Sequence, residues 1–225
     1  MERFFDIIFS GLALIIFSPM LLPIFVMLKF SAEGEVFFTQ ERIGKDGKIF
    51  KLLKFATMLK DSPNIGTGTV TMKEDPRVLP IGKFLRKTKI NELPQLLNIF
   101  IGDMSLIGPR PLTHQTFRSY SASTQVVVKR VKPGLSGVGS IIFHNEEDIM
   151  QGEFASVDFY DNVIAPYKGS IEKWFVSNKN LKVYFLLIIL TIWVVLKPST
   201  NIIWRIFKDL PEPVNELKEF LKYTT

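Results

Sequence analysis

The 225 residues contain no cysteine, which excludes disulfides, thiolate metal sites and a cysteine nucleophile. His114 and His144 are the only histidines, too few for a histidine-rich metal centre. No Asp-x-Asp metal motif, internal repeat or boundary for a second domain is visible. Charge is also missing over one long stretch: Ile7 to Leu28 carries no ionisable side chain. What the chain does have is grease and positive charge. It is 47% hydrophobic with 20 Phe, and its mean hydropathy is +0.20, values that point to a membrane. Its net charge of +6 suits anionic partners. The basic residues are spread along the chain without a stacking motif, so no nucleic acid partner is expected and acidic headgroups or phosphorylated substrates are.

Ile7–Leu28 would make a helix about 33 Å long, the thickness of a bilayer's hydrocarbon core. It is too long for a signal-peptide core. Pro19 lacks an N–H and crowds the preceding turn, so a kink is expected there. Ser18 is positioned to satisfy a carbonyl that the break frees. On physical grounds a spanning helix and a re-entrant one both remain open. Only Arg3 is basic before the run, whereas Lys29, Arg42, Lys45, Lys48, Lys51, Lys54 and Lys60 follow it. That bias places the body in the cytoplasm. A second apolar run, Val183–Leu196, spans about 21 Å, short for a crossing and suited to a core or interfacial helix. The reading favoured is a helix on or shallowly in the membrane, with Tyr184, Trp193 and Trp204 at headgroup level.

Between these runs, apolar stretches around Val36–Thr39 and Lys48–Phe55 flank Asp46-Gly47, which predicts a β-hairpin. Asp61–Met72 reads as a polar loop. Ile81, Phe84, Leu85 and Thr88 predict a short amphipathic helix, and Leu93, Leu96, Leu97 and Phe100 a second. Asn91 is expected to cap that second helix, with Pro94 in its first turn. Such a helix start gathers unpaired N–H groups and favours an anion. Pro109 and Pro111 clamp Arg110, a guanidinium suited to bidentate phosphate binding, although a structural loop arginine is the default for an isolated Pro-Arg-Pro. Glu146, Glu147 and Asp148 read as a solvated helix start before a metal site. Val214, Leu217, Phe220 and Leu221 predict a short amphipathic helix near the end.

An ordered series of blocks runs through this body: Ser18-Pro19, Phe38-Thr39-Gln40-Glu41-Arg42-Ile43-Gly44, Lys54-Phe55-Ala56-Thr57-Met58, Asp75-Pro76-Arg77, Leu85-Arg86-Lys87-Thr88, Glu92-Leu93-Pro94-Gln95-Leu96-Leu97-Asn98, Gly102-Asp103-Met104-Ser105, Gly108-Pro109-Arg110-Pro111 and Lys132-Pro133-Gly134. In that order they resemble the bacterial sugar transferases, in particular the small monotopic phosphoglycosyl transferases. The resemblance implies an α+β, mostly helical fold with an N-terminal re-entrant membrane helix broken at Ser18-Pro19, a small β-hairpin and interfacial amphipathic helices. Residues 1–30 would be the re-entrant helix and 31–225 a cytoplasmic catalytic body, one domain overall. It further implies transfer of a sugar phosphate from a nucleotide sugar, usually a UDP-sugar, to polyprenyl phosphate with Mg²⁺. The reaction would start a surface glycan at the cytoplasmic face of the bacterial inner membrane. Arg110 would hold a phosphate and Glu92 would ligate Mg²⁺. Lys54 and Arg86 would partner the diphosphate, and Asp103 would either contact substrate or buttress its turn. Gly134–Asp148 would shape the sugar or uridine pocket. Membrane lipid is an expected partner, and a homodimer stays open beside a monomer.

One position departs from the pattern. The family's Asp-Glu dyad, whose Asp is the nucleophile, reads Asn91-Glu92 here. A carboxamide is a very poor nucleophile. Three readings follow: Glu92 replaces it, the lipid phosphate attacks directly, or the protein is a catalytically inactive membrane scaffold of the glycan-assembly machinery.

Overall fold

The structure is a computed structural model and describes residues 1–31, 34–65, 75–151, 154, 156–197 and 201–223, the side chains of 63, 147, 148 and 201 aside. A 28-residue helix, α1 (Glu2–Lys29), opens the chain and is long and apolar enough to cross a membrane. It runs on through Ser18, Pro19 and Pro23 without losing its helical assignment. The expected break at Ser18-Pro19 is therefore absent as an interruption, although its local chemistry is present. Pro19 cannot donate to the Ile15 carbonyl one turn back, and Ser18 Oγ donates to that oxygen at 2.8 Å.

Both ends of α1 hold the same body. Near its start, Arg3 donates to the carbonyls of Ile99 and Phe100. Asp6, buried, accepts from Ser105 Oγ, Leu106 N and Tyr184 Oη at 3.0, 2.9 and 2.8 Å. Near its end, Leu21, Ile24 and Leu28 pack with Val36, Phe55, Leu85 and Ile90. The opposite face, including Leu12, Ile15, Ile16 and Leu22, is exposed apolar surface.

Strands β1 (Phe37–Ile43) and β2 (Ile49–Phe55) form the expected antiparallel hairpin. Its turn is a 3₁₀ segment in which Asp46 and Gly47 take φ of 57° and 77°, which is why Asp-Gly sits there. Helix α2 (Pro80–Lys87) follows, then a 3₁₀ turn at Ile90–Glu92 and α3 (Gln95–Ile101). Asn91 thus lies inside the turn and does not cap α3, whose N-cap is Pro94 with no side-chain cap. Asn98 clips α3 to β2, accepting from Leu53 N at 3.0 Å and donating to Lys51 O at 2.9 Å. Of the Asp61–Met72 loop, Ser62–Asn64 form a 3₁₀ turn and residues 66–72 lie outside the described residues.

The second half surrounds a short parallel pair, β3 (Ser105–Ile107) with β4 (Gly134–Ser136). A side chain at Gly108 would fall 2.4 Å from the Lys132 carbonyl, and one at Gly134 would fall 2.1 Å from Gly108 N. Only glycine permits that backbone contact. Helices α4 (His114–Arg118), α5 (Ala122–Val128), α6 (Val138–Ile142) and α7 (Glu146–Ile149) follow, α6 packing on β4 and α4 on β1. Then α8 (Val157–Phe159) passes through a π-helical turn, Tyr160–Ile164, into α9 (Ala165–Asn178). Helices α10 (Leu181–Leu196), α11 (Asn201–Ile206) and α12 (Asn215–Lys218) complete the chain.

Here α10 is a core helix on one face, burying Val183, Tyr184, Leu187, Leu190 and Val194, while Ile189, Ile192, Val195 and Leu196 are exposed. Tyr184 is buried and bonded to Asp6, so it does not sit at a headgroup surface. Burying Leu217 and Leu221 ties the C-terminal segment to the same core. The fold is mostly helical α+β, with small strands that position loops.

Candidate active site

The Asn91–Glu92 turn is set by Lys89, which takes the left-handed conformation at φ 60° right after α2. Glu92 Oε1 accepts from Lys54 Nζ at 3.1 Å, and Arg110 Nη2 lies 3.9 Å away. Lys54 is brought there by the penultimate residue of β2, next to the Asn98 clip. Arg110 stands between buried Pro109 and Pro111, and its backbone is held on each side. Gly134 N donates to Pro109 O at 2.8 Å. Arg42 Nη1 donates to Pro111 O at 3.2 Å, and Arg110 N itself donates to Glu172 Oε1 at 3.4 Å. The guanidinium end stays open, with 44% of the side chain exposed. The proline clamp on Arg110 is therefore real geometry.

Charge in the cluster is uneven. Burial pushes Glu92 up, but the Lys54 ammonium, Arg110 and Lys89 outweigh it and hold the carboxyl down at about 2. Burial, reinforced by Arg110 and Arg42, lowers Lys54 to about 8 against the opposing pull of Glu92. Arg42 is lowered to about 10 by burial and by Arg110. Arg110 is raised: burial lowers it, and Glu92 with Glu146 more than compensates. Lys54, Arg110 and Arg42 thus gather around Glu92 while Glu146 is paired with Lys168, and the excess positive charge suits an anion. Partial exposure of Lys54 and Glu92, 21% and 20%, leaves room for it to reach them.

Glu92, Lys54 and Arg110 are brought together as the motifs implied. Asn91 is adjacent and buried, its Oδ1 without a hydrogen-bond donor. Arg86 is half-buried in the last turn of α2, and its carbonyl accepts from Lys89 N, at the start of the same turn. Asp103 lies past the other end of α3, where Oδ2 accepts from Asn98 Nδ2 at 3.3 Å, the buttressing arrangement. Glu146 is not simply solvated: it pairs with buried Lys168. Glu147 and Asp148 side chains lie outside the description.

Sequence reasoning missed Arg42, although its block was recognised. The signal was strand alternation: Arg42 and Lys54 share the hairpin face that carries buried Leu52. Glu172 and Lys168, buried on α9, had no local signal. A groove between the α4–α5 corner and α9, lined by Arg118, Ser121, Thr124 and Lys173, does not include the cluster. Tyr120 lines both it and a narrower cleft beside Arg110.

Among the described residues, no three histidine, aspartate or glutamate side chains converge to cage a metal. The oxygens at hand are the Glu92 carboxylate and, next in sequence, the orphaned Asn91 Oδ1. Those donors fit a hard cation such as Mg²⁺ that keeps waters and phosphate oxygens as its remaining ligands.

The site is thus a cation-rich cleft built on one ion-paired glutamate, beside an exposed apolar helix. The bacterial sugar transferase family model matches residues 1–198, and the chain belongs to that family. It is 38% identical over 159 residues to the exopolysaccharide production protein ExoY of Rhizobium meliloti (strain 1021), covering 64% of this chain and 70% of that one. It is 41% identical over 144 residues to the UDP-glucose:undecaprenyl-phosphate glucose-1-phosphate transferase of Klebsiella pneumoniae, covering 62% and 30%. It is 36% identical over 143 residues to the UDP-N-acetylgalactosamine-undecaprenyl-phosphate N-acetylgalactosaminephosphotransferase of Aeromonas hydrophila, covering 63% and 34%. The chain thus spans about a third of the length of these last two relatives.

Proposed function

We propose that this sugar-phosphate transferase moves a sugar phosphate from a UDP-sugar to undecaprenyl (polyprenyl) phosphate, opening the assembly of a bacterial surface glycan. The names of the Klebsiella and Aeromonas relatives support the substrates. The observation that carries the reading is one juxtaposition. Leu21, Ile24 and Leu28 of α1 pack against Phe55 and Ile90, the chain neighbours of Lys54 and Asn91. Charge for a diphosphate and surface for a lipid meet at one place.

Phosphoryl transfer needs neutralised oxygens and aligned reactants more than acid–base groups. Arg110 and Arg42 would grip diphosphate oxygens, and Lys54 would balance charge as the bond to the leaving group lengthens. Glu92 with Asn91 would hold Mg²⁺, which when bound supplies further neutralisation of the phosphate oxygens. The reading favours direct attack. Asn91 is neutral, and Glu92 is drained of basicity by Lys54 and Arg110, so neither side chain is a good nucleophile. An oxygen of the lipid phosphate forms the new bond to the sugar-bearing phosphorus, the bridging P–O bond breaks, and UMP leaves with that oxygen.

On this reading α1 is monotopic, lying with its exposed apolar face in the bilayer from one side, because Arg3 and Asp6 near one end and Leu28 at the other grip one body. The body would then lie at the cytoplasmic face of the inner membrane, as the lysines after α1 suggest. The test is UMP release from a panel of UDP-sugars with undecaprenyl phosphate and Mg²⁺, followed by intact mass during turnover. Release without a phosphosugar adduct supports direct attack; an adduct on Glu92 replaces it with the covalent route. No release from any sugar, even after Asn91→Asp, marks a non-catalytic scaffold.

A further inference from the structure

We propose that Glu172 of α9 is a proton-responsive positioning residue behind the Arg110 turn, whose neutral form leaves the Arg110 guanidinium free for an anion and whose ionised form weakens that binding by competing for its charge. This rests on the reading of Arg110 as a substrate phosphate ligand. Glu172 is 2% exposed, and its Oε1 accepts the Arg110 backbone N–H at 3.4 Å. Its Oε2 is buried with no hydrogen-bond partner. A buried ionised carboxylate with one long hydrogen bond is costly, whereas the protonated acid tolerates the site. Room for it is made by Gly139 of α6, where an added side chain would fall 2.4 Å from Oε1.

The charged and titratable groups around it come from each neighbouring element. Arg110 follows β3, Tyr120 sits at the α4–α5 corner, and Lys168 precedes it by one turn on α9. Lys168 is already committed to Glu146 of α7. Burial outweighs the Arg110 N–H bond and the charges of Lys168 and Arg110, and Glu172 is pushed up to about 7. Below that pH the acid is neutral, and the Arg110 guanidinium offers its full charge to an incoming diphosphate. Above it a negative charge appears behind the arginine, competes for it and repels the ligand.

Infrared titration of the full-length protein in nanodiscs tests the charge state without any substrate. A protonated-carboxyl band that titrates near neutral pH and is missing from Glu172→Gln supports the proposal. A protein with no such band from pH 5 to 9 overturns it. Turnover tests the consequence with UDP-glucose or whichever panel sugar is active, since a diphosphate diester keeps its charge over this range. Wild-type KM should rise several-fold between pH 6 and 8, and Glu172→Gln should hold KM near its low-pH value with kcat preserved. A Glu172→Gln profile that parallels wild type overturns the proposal. Gly139→Ala, which pushes on Oε1, should raise KM at every pH. If no UDP-sugar is consumed, the substrate reading fails, and the infrared titration still decides the state of Glu172.

Discussion

Two ion-paired sites in this molecule differ in kind. Asp75 and Arg77 form a closed pair, each 4% exposed. Arg77 donates to both Asp75 oxygens and to the carbonyls of Ser62 and Ile65. Glu92 instead faces Lys54, Arg110 and Arg42, with cations in excess and the Arg110 guanidinium open to solvent. A pair whose charges cancel and whose donors are satisfied holds loops together. A cluster left unbalanced and partly open is built to be completed by an anion.

The comparison breaks most sharply on stability. Arg77→Ala should lose about 3–5 kcal/mol by leaving the buried Asp75 charge uncompensated. Denaturant unfolding in micelles would show it, with turnover of the folded fraction unchanged. Arg110→Ala should do the reverse: a drop of about 10²–10³ in kcat/KM and little change in melting temperature. If Arg110→Ala unfolds the protein while Arg77→Ala abolishes turnover, the assignments are exchanged.

Ionisation sharpens the contrast. Lys54 is charged below about 8 in the folded protein, so kcat/KM should fall above that pH, by up to about tenfold per unit. Lys54→Arg should carry the limb to higher pH. Glu92, held at about 2, lies below its ordinary value of 4.5. Its contribution to stability is present above pH 4.5 and is lost as pH falls toward 2. Thermal melts of wild type and Glu92→Gln should therefore converge in acid. The smallest effect is expected from Asp103→Asn, at most about 1 kcal/mol of stability from a weaker bond to Asn98, with KM unchanged. A large KM change would bring Asp103 into the site after all.

Local rules made much of this legible. The Asp46-Gly47 hairpin follows from left-handed turn geometry, and the length of α1 follows from an uncharged run. Arg110 read as a structural loop arginine from Pro-Arg-Pro alone, and its place in the site came only with the ordered blocks. Asn91 misled because Asn before a helical pattern is a good cap by propensity. Lys89 instead turns left-handed, and the chain tightens into a 3₁₀ turn before α3 begins at Gln95. Arg42 was hidden because a strand arginine reads as solvated until the Pro109–Pro111 turn is laid against it. Glu172 was hidden more completely, since its partner is 62 residues away in the chain.

Composition and periodicity by themselves determined a greasy N-terminal helix, a hairpin, short amphipathic helices and a basic body, because each depends on contacts a few residues apart. Tertiary structure alone decided that both ends of α1 grip one body and that Glu92 meets Lys54 and Arg110. It also decided that a buried acid stands behind the arginine. Those are long-range electrostatic and packing facts, set by which surfaces leave water together, and no local pattern encodes them.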